Sequence, residues 1–195
     1  MTKKTLLEPA QLISAYTQGF FPMADFNEQI RWYSPESRAI FPLYDLKPPR
    51  SLVKFIQKNN LQFTINMDFE FVITNCANRE VTWISDSIIE SYIKLHQLGY
   101  AHSVEVWLGD EIVGGLYGVS ISAAFFGESM FNLISNASKS AFYFLVSYLK
   151  KKEFVLLDSQ FINEFTAQLG AIEIPRNQYL HLLRIALNKE CYFID

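Results

Sequence analysis

The chain has 195 residues, half of them hydrophobic, and a formal net charge of −3 at pH 7. It is therefore long enough to bury a core as one domain, with at most a small appendage. The acidic balance argues against a generally basic nucleic-acid-binding surface but leaves room for a local basic patch. Two cysteines and three scattered histidines form neither a zinc pattern nor a disulfide framework. No signal peptide or membrane span is visible, so a cytoplasmic location is expected.

The first third of the chain predicts two helices separated by a proline-rich region. The first helix covers residues 9–16, with a proline at its first position and Gly19 closing it. The five prolines at positions 22, 35, 42, 48 and 49 predict loops with short aromatic segments between them. The second helix covers residues 50–58. Residues 1–60 are therefore predicted to form a small N-terminal α/β subdomain that carries a basic helix.

Residues 61–195 predict a second, larger domain with a mixed sheet and flanking helices. Alternating apolar residues indicate strands, and apolar residues at helical spacing indicate an amphipathic helix before Gly99. In chain order, the predicted elements are a strand at 63–66, helices at 70–76 and 88–98, strands at 102–108, 111–121 and 123–131, a helix at 138–149, a strand at 155–158, a helix at 162–169 and a last helix from residue 178.

This order of elements is typical of the acyl-CoA N-acyltransferase (GNAT) fold, an α+β fold with a mixed sheet. In that fold, two neighbouring parallel strands splay apart after an antiparallel meander, and the cleft between them holds an acyl donor. Coenzyme A would need a glycine-rich turn before the helix that follows the meander, where backbone N–H groups hold its pyrophosphate. Residues 133–140 contain no glycine, which disfavours coenzyme A as the donor.

Two apolar strands each carry polar side chains into the predicted cleft. Glu128 lies in the middle of the apolar run 125–131, and the apolar run 154–157 ends in Asp158, Ser159 and Gln160. A buried carboxylate is costly unless another group pairs with it or the protein uses it. The two clusters are therefore either the walls of a site or a buried structural network. Since residues two apart in a strand face the same side, Asp158 is predicted to orient or polarise the Gln160 amide. The alternative is that Asp158 only caps the helix that follows.

Long stretches of the sequence resemble the leucyl/phenylalanyl-tRNA–protein transferase family in the same order. They are AYTQGFFP at 15–22, WYSP at 32–35, TWI at 82–84, LHQLGYAHS at 95–103, VGGLYGV at 113–119, FGESMF at 126–131, NASK at 136–139, DSQ at 158–160 and LGAIEIPR at 169–176. The resemblance implies an enzyme of the N-degron pathway. Such an enzyme moves Leu or Phe, and sometimes Met, from aminoacyl-tRNA to proteins that begin with Arg or Lys. The ester is already activated, so no metal and no cofactor is implied.

The resemblance also implies roles for the polar residues. Asp158 and Gln160 fall at the catalytic centre, where the Gln160 carbonyl would position the attacking amine. Proton transfer would run through Asp158, water or the substrate itself. Glu128 would bind the terminal ribose or the aminoacyl ammonium group, and its alternative role is that of a buried hydrogen-bond anchor.

An apolar slot for the transferred side chain is predicted around these residues. Its members are Leu116, Phe125, Met130 and Leu157, with Phe142 and Leu145 opposite. An apolar slot separates homologous side chains by only about 1–3 kcal/mol per methylene, so Leu, Phe and Met should be accepted and β-branched side chains rejected by shape. Trp83 is predicted to frame the 3′ adenosine by stacking, with Tyr16 and Trp32 as weaker candidates. Ordinary core packing is the alternative for each of these residues.

One predicted helix carries a basic stripe. Arg50, Lys54 and Lys58 recur every four residues and therefore lie on one helical face, opposite Phe55 and Ile56. The family has a tRNA-binding basic helix here, so this stripe is predicted to contact the acceptor stem. A merely solvated face is the alternative. The lysines at 150–152 are a second candidate, although lysines often simply end a helix.

The chain departs from the family at three positions. Met23 stands where many members have a tryptophan involved in donor recognition, Phe165 where many have histidine, and Gln168 where many have serine. Donor preference is therefore left open. Two rival classes of protein also stay open. One is another GNAT-like transferase, which would use coenzyme A or add amino acids from tRNA to a cell-wall precursor. The other is a tRNA- or degron-binding module without catalytic activity.

Overall fold

The computed structural model describes residues 6–25, 27, 29–80 and 82–194. Its helices are α1 (Pro9–Thr17), α2 (Arg50–Lys58), α3 (Phe69–Ala77), α4 (Asp86–Gln97), α5 (Ala137–Lys151), α6 (Glu164–Gln168) and α7 (Arg176–Leu187). Its strands are β1 (Phe21–Ala24), β2 (Ile30–Tyr33), β3 (Ser37–Phe41), β4 (Gln62–Ile65), β5 (Ala101–Leu108), β6 (Glu111–Ile121), β7 (Ala124–Asn132), β8 (Leu156–Gln160) and β9 (Ile172–Pro175).

The helices and strands predicted from the sequence are all present, with ends that agree to within about two residues. Four short strands, β1, β2, β3 and β9, were not predicted. Each has only four or five residues, which is too few for an alternating pattern to stand out from the prolines around it. The α+β class with a mixed sheet is confirmed.

Seven strands form the main sheet in the order β4-β5-β6-β7-β8-β3-β9, and β1 pairs with β2 in a separate hairpin. The pairs from β4 to β7 are antiparallel, β7 and β8 are parallel, and β3 is antiparallel to both of its neighbours. Apolar cores lie against the sheet in two clusters, one joining α1, α3, α4 and α7, the other joining α2 and α5. The strand β6 is buried from Ile112 to Ser120 because it contributes side chains to both clusters.

Pairing between β7 and β8 stops early. Only the three residues from Ala124 to Phe126 pair, with the three from Leu156 to Asp158. The strand β7 then continues to Asn132 with only β6 as its partner. The two parallel strands therefore separate beyond Phe126, which opens a gap in the middle of the sheet.

A β-bulge lies on each side of this gap. Between β6 and β7 the register passes from Tyr117 opposite Ser129 to Gly118 opposite Gly127, so Glu128 is the extra residue. Between β3 and β8 it passes from Ala39 opposite Gln160 to Ile40 opposite Asp158, so Ser159 is the extra residue. Bulges bend a strand and redirect its side chains. Both walls of the gap therefore present side chains that regular strands would direct elsewhere.

The first 60 residues contribute to the main sheet and to both cores. The strand β3 lies between β8 and β9, Leu12 and Tyr16 of α1 share a core with Tyr92, and Leu52 of α2 packs in the other core. A domain division at residue 60 stays a prediction, and it would cut off one strand of the sheet. In the part of the chain that the structure describes, no helix is long and apolar enough to cross a membrane.

Candidate active site

A cavity of about 600 Å³ occupies the gap between β7 and β8. Ten of the side chains predicted to form the site line it: Met23, Trp83, Leu116, Glu128, Met130, Phe142, Leu145, Leu157, Asp158 and Gln160. Phe41 and Phe161 also line it and were not predicted. Residues from β1, the loop before α4, the sheet and α5 thus meet in one place.

Gln160 and Glu128 meet across the gap. The Gln160 side-chain amide Nε2 donates to Glu128 Oε1 at 2.6 Å. The Gln160 backbone is left-handed, with φ at 64°, and its N–H donates to Asp158 Oδ1 at 2.8 Å. The prediction that Asp158 orients the Gln160 side chain is therefore wrong in its detail, because the positive φ interrupts the alternation of a regular strand. Asp158 holds the backbone of Gln160, and Glu128 holds its side chain.

Asp158 is fully buried and paired with Arg38. Arg38 Nη2 donates to Asp158 Oδ2 at 2.6 Å, and Arg38 Nε donates to Oδ1 at 2.9 Å. The Tyr179 hydroxyl donates to Oδ2 at 2.8 Å. Burial alone would lower the pKa of the Arg38 guanidinium, but the charge of Asp158, its hydrogen bonds to Arg38 and the charges of Tyr179 and Glu128 together offset this, and the pKa is raised. The Asp158 carboxylate is thus occupied by structural donors.

The sequence reasoning missed Arg38 and Tyr179. The signal that could have identified Arg38 is its position directly before the apolar residues Ala39, Ile40 and Phe41, where a charged side chain needs a partner if the strand is buried. Tyr179 carries no such signal, since a tyrosine on an amphipathic helix is ordinary.

Glu128 lies among tyrosine hydroxyls and is only 9% exposed. The Tyr16 hydroxyl donates to its Oε1 at 2.7 Å, and the Tyr92 hydroxyl donates to its Oε2 at 3.5 Å; the two hydroxyls are also bonded to each other. The pKa of the Glu128 carboxyl is raised from 4.5 to about 8, chiefly by burial and also by the charge of Asp158, while Tyr16, Arg38 and Gln160 act in the opposite direction. Glu128 is therefore a carboxyl whose charge changes near neutral pH.

Three predicted binding residues do not contribute their side chains to the cavity. Tyr16 is fully buried, so its ring cannot stack on a base, and its hydroxyl donates to Glu128 instead. Phe125 is also fully buried and packs 5.2 Å from the ring of Phe193. It does not line the cavity, because its side chain lies in the core between the sheet and α5. Trp32, the other weak candidate, is half-buried in β2 and does not line the cavity either.

Tyr117 also lines the cavity. Among the side chains that the structure describes, its hydroxyl is the one buried polar atom without a hydrogen-bond partner. Near it, Arg79 Nη2 donates to Ser129 Oγ at 2.6 Å and to the Met130 carbonyl at 2.8 Å. These contacts fix β7 where it no longer has β8 as a neighbour.

Comparison with known proteins decides the family. A protein-family model described as leucyl/phenylalanyl-tRNA protein transferase matches residues 40–184. A second family model, for the N-terminal domain of this transferase, matches residues 6–36. The chain belongs to this family. The resemblance found in the sequence is thereby confirmed, together with the enzyme class that it implies.

Relatives named leucyl/phenylalanyl-tRNA–protein transferase match over three quarters of their length or more. The protein from Gloeobacter violaceus is 49% identical over 96% of this chain and 97% of its own. The protein from Chlorobium limicola is 45% identical over 97% of this chain and 100% of its own. The protein from Shewanella denitrificans is 47% identical over 89% of this chain and 76% of its own. One solved structure, a conserved protein of unknown function from Bacteroides thetaiotaomicron, matches with a TM-score of 0.35 and 12% identity over 93% of this chain and 63% of its own, which is too low to support a fold assignment.

Of the three positions at which the resemblance implies a departure from the family, two contribute to the cavity. Met23 and Phe165 line the cavity, and the Lys139 ammonium group lies 5.8 Å from the centre of the Phe165 ring. The backbone N–H of Ala24, next to Met23, donates to the Trp83 carbonyl at 3.2 Å, which joins the hairpin to the loop before α4. Gln168 is exposed and does not line the cavity.

The basic helix lies apart from the cavity. Arg50, Lys54 and Lys58 are exposed on α2, while Leu52 on the other face packs toward α5. Of the second basic candidate, Lys150 is engaged, because its Nζ donates to the Leu46 carbonyl at 2.6 Å. Contact with tRNA stays a prediction for both.

Proposed function

We propose that this protein transfers Leu or Phe, with Met also accepted, from aminoacyl-tRNA to the N-terminal amine of proteins that begin with Arg or Lys. In the cytoplasm this transfer would mark the acceptor for degradation by the N-degron pathway. The observation that carries the proposal is the hydrogen bond between Gln160 and Glu128 at a partly apolar cavity, in a chain of this family.

The apolar wall of the cavity fits the side chain of the donor. Leu116, Met130 and Leu157 from the sheet face Phe142 and Leu145 from α5. These side chains bear no charge and can adapt to Leu, Phe or Met, since apolar pockets discriminate weakly by size. Trp83 at the mouth offers a flat ring to the 3′ adenosine, and Met23 beside it supplies a flexible apolar contact.

Gln160 suits the positioning of the attacking amine. Because its Nε2 is bound to Glu128, its carbonyl oxygen is left to accept a hydrogen bond from an incoming α-amine. The amine nitrogen then attacks the ester carbonyl, the new C–N bond forms, and the bond between the carbonyl carbon and the ribose oxygen breaks. Because the ester is already activated, holding the amine beside it in the right orientation removes a large part of the remaining barrier.

Glu128 is better suited than Asp158 to receive the proton. The Asp158 carboxylate is occupied by Arg38, Tyr179 and the Gln160 N–H. A proton acceptor works best when its pKa is near the working pH, and burial places the pKa of Glu128 at about 8. The amine loses one proton and the ribose oxygen gains one, so no further reactant is needed. Glu128 would also attract the ammonium group of the donor or bind its terminal ribose.

The fold assignment to the GNAT class belongs to the same proposal. The order of the elements and the separation of β7 from β8 beyond Phe126 support it. The helix α5 begins after Asn136 with no glycine at its first turn, which disfavours coenzyme A here as well.

A transfer assay tests the function. Purified protein receives tRNA charged with Leu, Phe, Met or Ile, or acetyl-CoA, together with a peptide that begins with Arg, and products are identified by mass. Leu and Phe are expected on the peptide, with Ile transferred about 10- to 100-fold more slowly, because an apolar pocket discriminates by about 1–3 kcal/mol; no acetyl transfer is expected. An acetylated peptide is the control acceptor. Acetyl transfer alone would indicate a coenzyme A enzyme, and tRNA binding without any transfer would indicate a binding module.

A further inference from the structure

Arg38 is the most buried charged side chain next to the cavity after its partner Asp158, at 1% exposure. Besides its bonds to Asp158, its Nη1 donates to the Gly19 carbonyl at 3.1 Å and its Nη2 to the Tyr179 hydroxyl at 3.2 Å. Its guanidinium carbon lies 4.5 Å from the ring centre of Phe21 and 4.4 Å from that of Tyr179. Planar contacts and a forked ion pair fix the guanidinium in orientation as well as in position.

These contacts join parts of the chain that are far apart in sequence. Gly19 follows α1, Phe21 begins β1, Asp158 lies in β8 and Tyr179 lies in α7. Arg38 itself falls between the two ranges matched by the family models, 6–36 and 40–184. Its side chain ties residues of both matched regions to the strand that carries Gln160.

The hydrogen bond from the Gln160 N–H to Asp158 connects Arg38 to the residue that is proposed to position the attacking amine. Gln160 has a left-handed backbone at φ 64°, a conformation that a residue with a side chain rarely adopts without support. Asp158 Oδ1 accepts the Gln160 N–H and is itself fixed by Arg38. A small rotation of the carboxylate would release this turn and move the Gln160 amide away from Glu128.

We infer that Arg38 is a positioning residue for the transfer, acting through Asp158 on the left-handed turn that presents the Gln160 amide to the attacking amine. This inference rests on the proposed role of Gln160. It differs from a purely structural role, in which Arg38 would only neutralise a buried carboxylate. A cation alone would satisfy that structural role, whereas positioning requires the fork and the planar stacking.

Arg38→Lys separates the two roles, since it keeps the charge and removes the fork. We expect kcat to fall about 100-fold with KM for aminoacyl-tRNA and for the peptide within about 3-fold, because misplacing a reacting group by about 1 Å has an effect of that size. Arg184→Lys, an exposed arginine on α7, is the matched control and should keep wild-type kcat. Unchanged kcat in a folded Arg38→Lys protein would overturn the inference, and so would a loss confined to KM.

A second readout does not depend on activity. Hydrogen exchange of the Gln160 backbone N–H should speed up at least about 10-fold in Arg38→Lys relative to its β8 neighbours, since local opening sets such rates. Unchanged protection would overturn the inference, even if the wild-type protein fails in the transfer assay and the proposed function is abandoned.

If Arg38→Lys does not fold, Tyr179→Phe removes one donor from Asp158 and leaves the ion pair. It should then show a smaller loss of kcat, about 3- to 10-fold, and faster exchange at Gln160. A Tyr179→Phe protein with wild-type kcat and wild-type hydrogen exchange at Gln160 would overturn the inference.

Discussion

The Gln160 side chain donates from Nε2 to Glu128 Oε1 at 2.6 Å, across a gap in a β-sheet where two parallel strands have stopped pairing. Each of the two strands carries a bulge at this level. The bulge in β7 makes Glu128 the extra residue of its strand. The bulge in β8 lies directly before Gln160, whose backbone is left-handed. The two irregularities together bring an amide and a carboxyl from opposite walls into one cavity.

Removing the amide or the carboxylate should slow the reaction without preventing substrate binding. We expect Gln160→Ala and Glu128→Gln each to lower kcat about 100-fold, the usual effect of removing a group that positions a reactant or receives a proton. Steady-state kinetics with Leu-tRNA and an Arg-peptide measure this. Gln178→Ala is the control because Gln178 is an exposed glutamine of α7 that does not line the cavity. Wild-type kcat in both Gln160→Ala and Glu128→Gln would move the reaction centre elsewhere.

The raised pKa of Glu128 predicts how stability depends on pH. Its pKa is about 8 in the folded protein against 4.5 ordinarily, so between these values the folded state holds a proton that the unfolded state has released. The stability from this group is therefore fully present below about pH 4.5 and declines as pH rises to about 8, with a limiting slope of about 1.4 kcal/mol per pH unit. Urea unfolding from pH 5.5 to 8.5 measures the slope. Glu128→Gln should flatten it, and an equal slope in both proteins would contradict the pKa.

The unpartnered Tyr117 hydroxyl should cost stability. It is buried without a hydrogen-bond partner, and an unsatisfied buried polar group costs about 1–3 kcal/mol. Tyr117→Phe keeps the ring, which packs edge-on against Tyr92 and Phe69, and should raise the free energy of unfolding by about 1 kcal/mol. Thermal and urea unfolding measure it. Tyr92→Phe is the contrasting variant, since it removes a bonded hydroxyl and should destabilise.

The bulge at Glu128 should require glycine on the facing strand. A Cβ at Gly118 would lie 2.3 Å from the Phe126 carbonyl oxygen and 2.4 Å from the Phe125 ring, whereas one at Gly127 would lie 3.3 Å from the Asp158 carbonyl oxygen. Gly118→Ala should therefore destabilise by about 3 kcal/mol, since overpacking against backbone allows little relief. Gly127→Ala should cost clearly less. Equal losses of unfolding free energy would mean that the bulge adapts.

The basic face of α2 should govern the salt dependence of tRNA binding. Neutralising Arg50, Lys54 and Lys58 to Gln should raise the KM for aminoacyl-tRNA and leave the KM for the peptide unchanged. It should also reduce the slope of log K against log salt by roughly 1 for each tRNA phosphate that the variant no longer neutralises. Lys94→Gln, which removes a lysine from α4, is the control. An unchanged salt slope in the triple variant would place the acceptor stem on another surface.

Several features followed from the sequence because their causes are local. The helix α2 and the strand β6 have the predicted bounds, since their apolar spacing and their end signals lie within the segment itself. The apolar lining at Leu116, Met130 and Leu157 was predicted from the same strands. Tyr16 was assigned to base stacking because an aromatic residue in sequence does not reveal whether its ring is covered.

By itself, the sequence determined the order of the helices and the longer strands, the family and most of the predicted residues that line the cavity, because periodicity and long matching stretches are properties of contiguous residues. The tertiary structure decided which of those residues touch. Glu128 meets Gln160, and Asp158 is bound by Arg38 instead of free for the reaction. These pairings depend on the register of strands more than 30 residues apart and on two bulges. A bulge is a relation between two strands, so neither strand encodes it alone.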